Sequence, residues 1–174
     1  IYFSDAAATK LFRRDTDGTI SHFAGTGCYG LCDPLVDGTP ARETNLDIVS
    51  ELELGPDGSL YLVIRCQVYR IDPATERVYL VAGRMSSPWY CSAPPDGDGG
   101  PATQASLTPV NDIDIGPDGS LYIVYNNGVR HVGPDGIITS LGGGYGFAGE
   151  GRPVAEARYS APAGIAVGSD GVVY

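Results

Sequence analysis

The sequence predicts an all-β protein made of three similar units, each with four short strands. Turns of the form Gly-x-Asp-Gly begin at residues 55, 116 and 168, which gives spacings of 61 and 52 residues. An acid-Gly-x-Pro loop precedes each turn and repeats with the same two spacings. Two motifs that recur at matching offsets establish an internal repeat. Four antiparallel strands in a unit of this length predict the blades of a β-propeller.

The composition agrees with many short strands joined by sharp turns. The chain has 174 residues, of which 43% are hydrophobic, and this is enough for one domain with a substantial core. Its 25 glycines, 13 prolines and 11 tyrosines favour turns and strands over helices. The net charge of −10 argues against a nucleic-acid partner, which would require a basic patch. No stretch approaches the ~20 apolar residues of a membrane span.

The first unit is predicted from the N-terminus in chain order. Strands are predicted at 1–4, 10–14 and 19–25, with an Asp- and Gly-rich turn before the last of them. A long loop follows at 26–47. The next strand, at 50–54, contains Glu-Leu-Glu-Leu, which has the two-residue alternation of a strand.

The next two units repeat this order of strands and turns. The second has predicted strands at 59–65, 68–71 and 77–82, followed by a long loop at 83–108. The third has predicted strands at 112–115, 120–124, 129–132 and 137–141. Its loop is shorter, which accounts for the smaller second spacing.

The predicted repeat units span about 1–60, 61–121 and 122–174 and belong to a single domain. A propeller needs roughly four to eight blades to close a ring. Tyr2 and Tyr174 occupy the same slot of the repeat, so the chain begins and stops in register between the first and second strands of a blade. We therefore expect half of a six-blade ring. Either a longer chain supplies the missing blades, or a second copy closes the ring as a homodimer.

The stretch at 96–124 resembles the NHL-repeat propeller. It reads Gly-Asp-Gly-Gly-Pro-Ala-Thr-x-Ala-x-Leu, then a strand, then Gly-Pro-Asp-Gly-Ser-Leu-Tyr-Ile. Ala-Gly pairs at 24–25 and 82–83 also match, and the resemblance covers nearly the whole chain. The cysteine-bearing loops are similar to those in the propeller of teneurins and of bacterial Rhs/YD-repeat proteins. The resemblance implies six blades and a role in adhesion, or as a scaffold, in an extracellular or cell-surface protein.

Four cysteines lie in or beside the long loops. We favour the pairs Cys28–Cys32 and Cys66–Cys91, because each pair closes a short stretch of one repeat. An even number of loop cysteines favours an oxidising compartment. Four free thiols and a zinc site are the alternatives, although the Cys-x3-Cys spacing has no second pair like it and no histidine nearby.

Four acidic residues occupy matching slots of two predicted innermost strands. They are Glu51, Glu53, Asp112 and Asp114. Innermost strands line the axis of a propeller, so these carboxylates are candidates for binding a cation such as calcium, or a basic group of a ligand. Crowded carboxylates repel one another unless they are neutralised. The alternative is that they point to solvent at the mouth of the channel.

The acids of the repeated loop also suggest calcium. Asp96 and Asp98 lie two positions apart, which is the spacing of the first ligands in a calcium-binding loop. Such a loop would need a glutamate at position 107, where the chain has Leu107. The repeats keep the turn-forming residues while the acids vary. The motif is therefore interpreted as a turn that passes the chain from one blade to the next.

Aromatic residues in the long loops are candidates for binding a protein or carbohydrate ligand. They are Tyr29, Trp89, Tyr90, Tyr145 and Phe147. The alternative is that they fold back and cover the blade ends.

The sequence favours a non-catalytic binding or scaffold module. It has no Gly-x-Ser-x-Gly elbow, and His22 and His131, its only histidines, belong to different units. No catalytic residue is predicted. The alternative is a hydrolase or lyase that uses a metal held by the four axial carboxylates. Calcium is the one cofactor considered.

Overall fold

The computed structural model describes residues 1–28, 35–85, 91, 95–144, 146, 150–151, 153–159 and 161–174. In this part of the chain, eleven strands form three antiparallel sheets, and the only helices are three short 3-10 turns. None of these helices has the length and apolar character needed to cross a lipid bilayer. The prediction of an all-β fold is confirmed.

The strands follow one another along the chain. The first sheet contains β1 (Tyr2–Asp5), β2 (Lys10–Arg14) and β3 (Ile20–Ala24). The second contains β4 (Val49–Leu54), β5 (Leu60–Ile64), β6 (Gln67–Ile71) and β7 (Val78–Ala82). The third contains β8 (Val110–Ile115), β9 (Leu121–Tyr125), β10 (Gly128–Val132) and β11 (Ile138–Gly143). The 3-10 turns are Ala41–Glu43, Ala102–Gln104 and Val154–Glu156.

The ends of the described chain match the predicted register. The first sheet has three strands, and β1 carries Tyr2 in the slot that Tyr61 and Tyr122 occupy in β5 and β9. Beyond the third sheet, Val167 and Val173 form an isolated antiparallel bridge. The segment at 164–174 is thus the start of a further hairpin, with its turn at the third Gly-x-Asp-Gly motif.

The Gly-Pro-Asp-Gly turns fold through local hydrogen bonds. Asp57 accepts the N–H of Ser59 at 2.9 Å and its hydroxyl at 2.8 Å, and the N–H of Gly55 donates to Ser59 O at 2.8 Å. Gly58 has φ +82°, a conformation that glycine adopts without steric cost. The repeated motif therefore specifies the tight connection between the first two strands of the second and third sheets.

Two hydrophobic cores hold the three sheets in a stack. One lies between the first and second sheets and includes Leu11, Leu62 and Tyr69. The other lies between the second and third and includes Val63 and Ile123. Successive residues of a strand face opposite sides of a sheet. The whole of β5 is therefore buried, because the second sheet has a neighbour on each side.

Glycines at the ends of β3 and β7 allow two loops to pass close to the strand turns. Gly83 has φ +93°, and a Cβ at this position would lie 2.3 Å from Cys66 O. Gly25 has φ +91°, and a Cβ there would lie 2.4 Å from Thr9 O. The requirement for a residue without a side chain explains the Ala-Gly pairs in the sequence.

We predict that Gly83→Ala destabilises the protein by at least ~2 kcal/mol, because alanine adds both backbone strain at positive φ and a clash with Cys66 O. Urea unfolding monitored by tyrosine fluorescence would measure the change in unfolding free energy. Gly119→Ala is the matched control, since Gly119 has φ +85° but open space around its Cβ position. An equal loss in both variants would show that the close approach to Cys66 contributes nothing.

Candidate functional site

Two aspartates of β8 bond to the segment that follows the third sheet. Asp112 Oδ2 accepts the N–H of Ile165 at 2.8 Å, and Asp114 Oδ2 accepts that of Val167 at 2.5 Å. The other oxygen of each aspartate accepts the N–H of the residue that follows it in β8, at 2.9 and 2.6 Å. These N–H groups point away from the sheet ladder at its inner edge. The carboxylates satisfy them and join one innermost strand to the next.

Two glutamates on β4 lie in the electrostatic field of these aspartates. Burial raises the pKa of Glu51, and the charges of Asp112 and Glu53 raise it further. Burial also raises the pKa of Glu53, and the charge of Asp114 adds to this, although a hydrogen bond from the N–H of Leu54 at 3.1 Å acts in the opposite direction. The structure thus places the four predicted acids along the inner edges of adjacent sheets, where they repel one another.

A metal centre receives no geometric support from these acids. In the described part of the chain, no three His, Cys, Asp or Glu side chains are grouped so that they could hold a metal ion. The carboxylates of Asp112 and Asp114 are already occupied by main-chain N–H groups. Calcium at this position stays a prediction.

The acid-Gly-x-Pro loop before β8 closes over a buried arginine. Arg130 in β10 is 1% exposed, and its Nη2 donates to Asp98 Oδ1 and to Asp96 O, the latter at 2.8 Å. The second oxygen of Asp98 accepts the N–H of Ser140 in β11 at 3.1 Å. Burial tends to raise the pKa of Asp98, but the hydrogen bonds from Ser140 and Arg130 outweigh it and lower the pKa. The loop acid therefore fastens the loop to the two outer strands of the third sheet.

The preceding loop makes the same attachment with different chemistry. Asp37 Oδ1 accepts the N–H of Leu80 in β7 at 2.6 Å, just as Asp98 accepts that of Ser140. The slot of Arg130 is filled by Tyr69, whose pKa is raised to about 12, first by burial and then by the charge of Asp37. The repeated acid thus has a structural role, which supports the turn interpretation of the motif over the calcium loop.

Arg130 is the site residue that sequence reasoning missed. A signal was present, because the equivalent positions of the repeat carry the aromatic residues Phe12 and Tyr69. A charged residue at an apolar slot of a repeat indicates a partner of opposite charge. The repeat spacing alone does not reveal that Asp98 is that partner.

One predicted disulfide is present and the other lies partly outside the described residues. Cys66 and Cys91 are bonded, with their Cα atoms 5.7 Å apart, so this pairing is confirmed. No cysteine among the described residues is a free thiol. The alternative of four free thiols is therefore wrong. Cys32, and with it the predicted pair Cys28–Cys32, lies outside the described residues.

The predicted aromatic ligand site also lies outside the described residues. Its members are Tyr29, Trp89, Tyr90, Tyr145 and Phe147. Binding by these residues stays a prediction.

The two histidines are used in local packing. His22 Nε2 lies 3.0 Å from Ala24 O and 2.7 Å from Gly25 O. The ring of His131 packs on Tyr122, with the ring centroids 4.9 Å apart. The two side chains belong to different sheets, as the sequence predicted.

Stacked antiparallel sheets whose strands run outward in chain order define a β-propeller, and this is the class of fold to which the chain belongs. No known family profile matches the sequence. The chain is similar to Teneurin-m of Drosophila melanogaster, with 29% identity over 82% of this chain and 5% of that protein. It is also similar to Teneurin-3 of Danio rerio, with 28% identity over 100% of this chain and 7% of that protein. The chain thus spans only a small fraction of the length of these relatives.

Solved structures show the same fold at low sequence identity. An auxiliary nutrient binding protein from Bacteroides thetaiotaomicron superposes with a TM-score of 0.63 and 21% identity over 97% of this chain and 40% of that one. A streptogramin B lyase superposes with a TM-score of 0.57 and 16% identity, over 99% of this chain and 42% of that one. Both a binding protein and an enzyme therefore share the architecture.

We predict that Asp98→Asn lowers stability by about 2–3 kcal/mol, because it leaves the buried guanidinium of Arg130 without its counter-charge. In urea unfolding, Arg130→Met should cost less in the Asp98→Asn background than in the wild type. The folded pKa of Asp98 lies below its ordinary value of 3.8, so its stabilising effect is complete above pH 3.8 and is lost as the pH falls further. Additive effects of the two substitutions would contradict the ion pair.

We predict that replacing Glu51 and Glu53 together by glutamine raises the melting temperature at pH 7. Their folded pKa values lie above the ordinary value of 4.5, so these two groups oppose folding increasingly as the pH rises from 4.5 through the folded values. Because both side chains are partly solvated, we expect a gain of only about 1–3 °C. Calorimetry at several pH values would show the difference shrinking below pH 4.5. Glu76→Gln, on the β6–β7 turn, is the control.

Proposed function

We propose that the chain is a non-catalytic binding module of an extracellular or cell-surface protein, and that its long loops contact a protein or carbohydrate ligand. The Cys66–Cys91 disulfide carries this proposal, because it fastens the loop at 83–101 to the turn between β5 and β6. A loop held on a rigid scaffold presents its side chains with a small entropic cost of binding. We also assign the repeat to the NHL type on its Gly-Pro-Asp-Gly turns.

Other side-chain contacts support a fixed loop face at the same end of the sheets. The carboxylate of Asp47 accepts a hydrogen bond from Arg65 Nε at 2.6 Å, which anchors the residues before β4 to the β5–β6 turn. The hydroxyl of Thr9, in the β1–β2 turn, donates to Cys28 O at 2.9 Å. In the first sheet, the β1–β2 turn holds the loop that follows the sheet. In the second sheet, the β5–β6 turn holds the residues that precede the sheet.

The proposed location rests on the disulfide and on the relatives. Structural disulfides persist in oxidising environments such as the cell exterior. The similarity to two teneurins points in the same direction. Among proteins with the same fold, one is described as an auxiliary nutrient binding protein, which is consistent with a ligand-binding role.

An enzyme is the second candidate. Its support is the row of four carboxylates, in which burial and neighbouring carboxylates raise the pKa values of Glu51 and Glu53, together with the shared fold of a lyase. A metal-dependent hydrolase or lyase would have to free Asp112 and Asp114 from the N–H groups of Ile165 and Val167. For this reason the binding module is preferred.

We expect Trp89→Ala and Tyr90→Ala to weaken binding at least about tenfold, because aromatic residues commonly supply most of the energy of such interfaces. A glycan array and a panel of immobilised extracellular protein domains would identify a ligand, and titration calorimetry would then give dissociation constants. Tyr79→Ala, on the outermost strand β7, is the matched control. Unchanged affinity in the loop variants would contradict the proposal.

Calcium titration separates the two candidates. A binding module that holds its acids by main-chain N–H groups should show neither heat nor a thermal shift with calcium. Binding that is abolished by the Glu51→Gln, Glu53→Gln double variant would instead support the metal-dependent enzyme.

A further inference from the structure

We propose that Asp96 is a site of spontaneous covalent modification, at which its peptide bond with Gly97 rearranges to an isoaspartyl bond and releases one end of the loop at 84–96. Among aspartyl peptide bonds, the Asp-Gly bond is the most prone to this reaction, because glycine has no side chain to shield its amide nitrogen. The chain contains eight such pairs. Their aspartates are Asp17, Asp37, Asp57, Asp96, Asp98, Asp118, Asp135 and Asp170. The modification does not depend on what the loop binds.

The rearrangement needs no reagent other than water. The amide nitrogen of Gly97 loses its proton and attacks Cγ of Asp96, a carboxyl oxygen leaves as water, and a five-membered succinimide forms. Water then opens the ring at the former main-chain carbonyl, which becomes a free carboxylate, while the chain continues through Cγ. The isoaspartyl chain has the same mass and is longer by one methylene group. A hydrogen bond from the glycine N–H slows the reaction, because it favours the protonated amide.

Seven of the eight pairs are protected by a main-chain hydrogen bond from the glycine N–H. Five of them lie in hairpin turns, where the N–H donates to the carbonyl three residues before it. These glycines are Gly18, Gly58, Gly119, Gly136 and Gly171. In each of these turns the aspartate Oδ1 also accepts the N–H of the residue two positions on. The other two, Gly38 and Gly99, donate to Val78 O and Ile138 O at 2.7 and 2.8 Å.

Gly97 is the exception. Its N–H donates to no acceptor among the described residues, and the residue is exposed to solvent. Its carbonyl is engaged, since Gly97 O accepts the N–H of Gly100 at 3.0 Å. Gly97 has φ +87°, and a Cβ at this position would lie 2.9 Å from Ala105 Cα. Backbone conformation and packing therefore both require glycine at the position that leaves Asp96 open to attack.

The carboxylate of Asp96 is restrained, and this sets how fast the site reacts. Oδ1 accepts the N–H of Ser106 at 2.8 Å, and Oδ2 accepts a hydrogen bond from Arg84 Nη2 at 2.6 Å. The pKa of Asp96 is lowered, chiefly by the hydrogen bond from Ser106 and also by the charge of Arg84, although burial acts in the opposite direction. The neutral acid is the form that loses water, so both contacts slow the reaction. The turn aspartates are restrained in a similar way, and the N–H of Gly97 remains the difference.

Isomerisation removes the attachment of the loop at position 96. Besides the two bonds of its carboxylate, Asp96 O accepts a hydrogen bond from Nη2 of the buried Arg130 at 2.8 Å. The added methylene group shifts both the carbonyl and the carboxylate, so the contacts with Arg84, Ser106 and Arg130 are not all kept. The disulfide still joins the loop to the β5–β6 turn. The modified loop is thus held in its middle and loose at one end.

Site-resolved mass spectrometry of the whole chain, aged at physiological temperature and pH, tests the proposal. Fragmentation by electron transfer distinguishes isoaspartate from aspartate at each position. We expect isoaspartate to accumulate at least about tenfold faster at Asp96 than at any of the other seven aspartates, which is the effect of one lost hydrogen bond. In guanidinium chloride the eight pairs should react at similar rates. A folded chain in which Asp96 reacts no faster than the other seven would overturn the proposal.

The restraint by Arg84 gives a second test. Arg84→Ala should increase the rate at Asp96 severalfold and leave the other seven sites unchanged, because it frees one carboxylate oxygen and increases the fraction of neutral acid. Arg42→Ala is the matched control, since Arg42 is an exposed arginine on the 3-10 turn at 41–43. An increase at all eight sites in Arg84→Ala would point to general unfolding and contradict the proposal.

Hydrogen exchange tests the release of the loop. In the aged chain, the Ser106 amide should exchange faster in proportion to the isoaspartate content, because its acceptor on Asp96 is lost. The Ser120 amide, which donates to Asp118 in a protected turn at 3.0 Å, is the internal control. Unchanged exchange at Ser106 in a chain that carries isoaspartate at 96 would contradict the release.

Discussion

The first two acid-Gly-x-Pro loops are each hydrogen-bonded to two different sheets, and the stacking of the sheets depends on this double attachment. The N–H of Gly83, at the end of the second sheet, donates to Ala102 O in the 3-10 turn at 2.9 Å. On the other side, Gly99 and Gly100 bond Ile138 of the third sheet. The hydrophobic cores supply most of the favourable free energy of folding, but hydrophobic contacts are non-directional and do not fix the register between sheets. The loop fixes which strand of one sheet lies beside which strand of the next.

The innermost acids show how one methylene group changes the role of a repeated slot. Asp112 and Asp114 are short enough to accept their own following N–H and still reach the neighbouring segment. Glu53 accepts its following N–H, from Leu54, but no described residue of the third sheet donates to it or to Glu51. The aspartates therefore connect two innermost strands, whereas the glutamates remain crowded carboxylates with raised pKa values.

The sequence was sufficient for the parts of the fold that local chemistry determines. The Gly-Pro-Asp-Gly turns are specified by residues within one turn, so their strands were predicted to within about two residues. The Cys66–Cys91 pair followed from chain proximity. The ion pair of Arg130 joins positions 32 residues apart, and the bond from Asp112 to Ile165 spans 53. Such contacts depend on how the sheets stack, which the spacing of motifs does not encode.

One slot of the repeat shows that residues at equivalent positions can differ in charge and in hydrogen bonding. The slot faces the preceding loop and holds Tyr69 in the second sheet and Arg130 in the third. Tyr69 remains neutral beneath Asp37 and donates its hydroxyl to Gln67 Oε1 at 2.9 Å, so it gives Asp37 no counter-charge. Arg130 neutralises Asp98 directly. Protonation of Asp98 removes the counter-charge of the buried guanidinium, so acid should weaken the junction of the second and third sheets. The two junctions are alike in shape and differ in electrostatics.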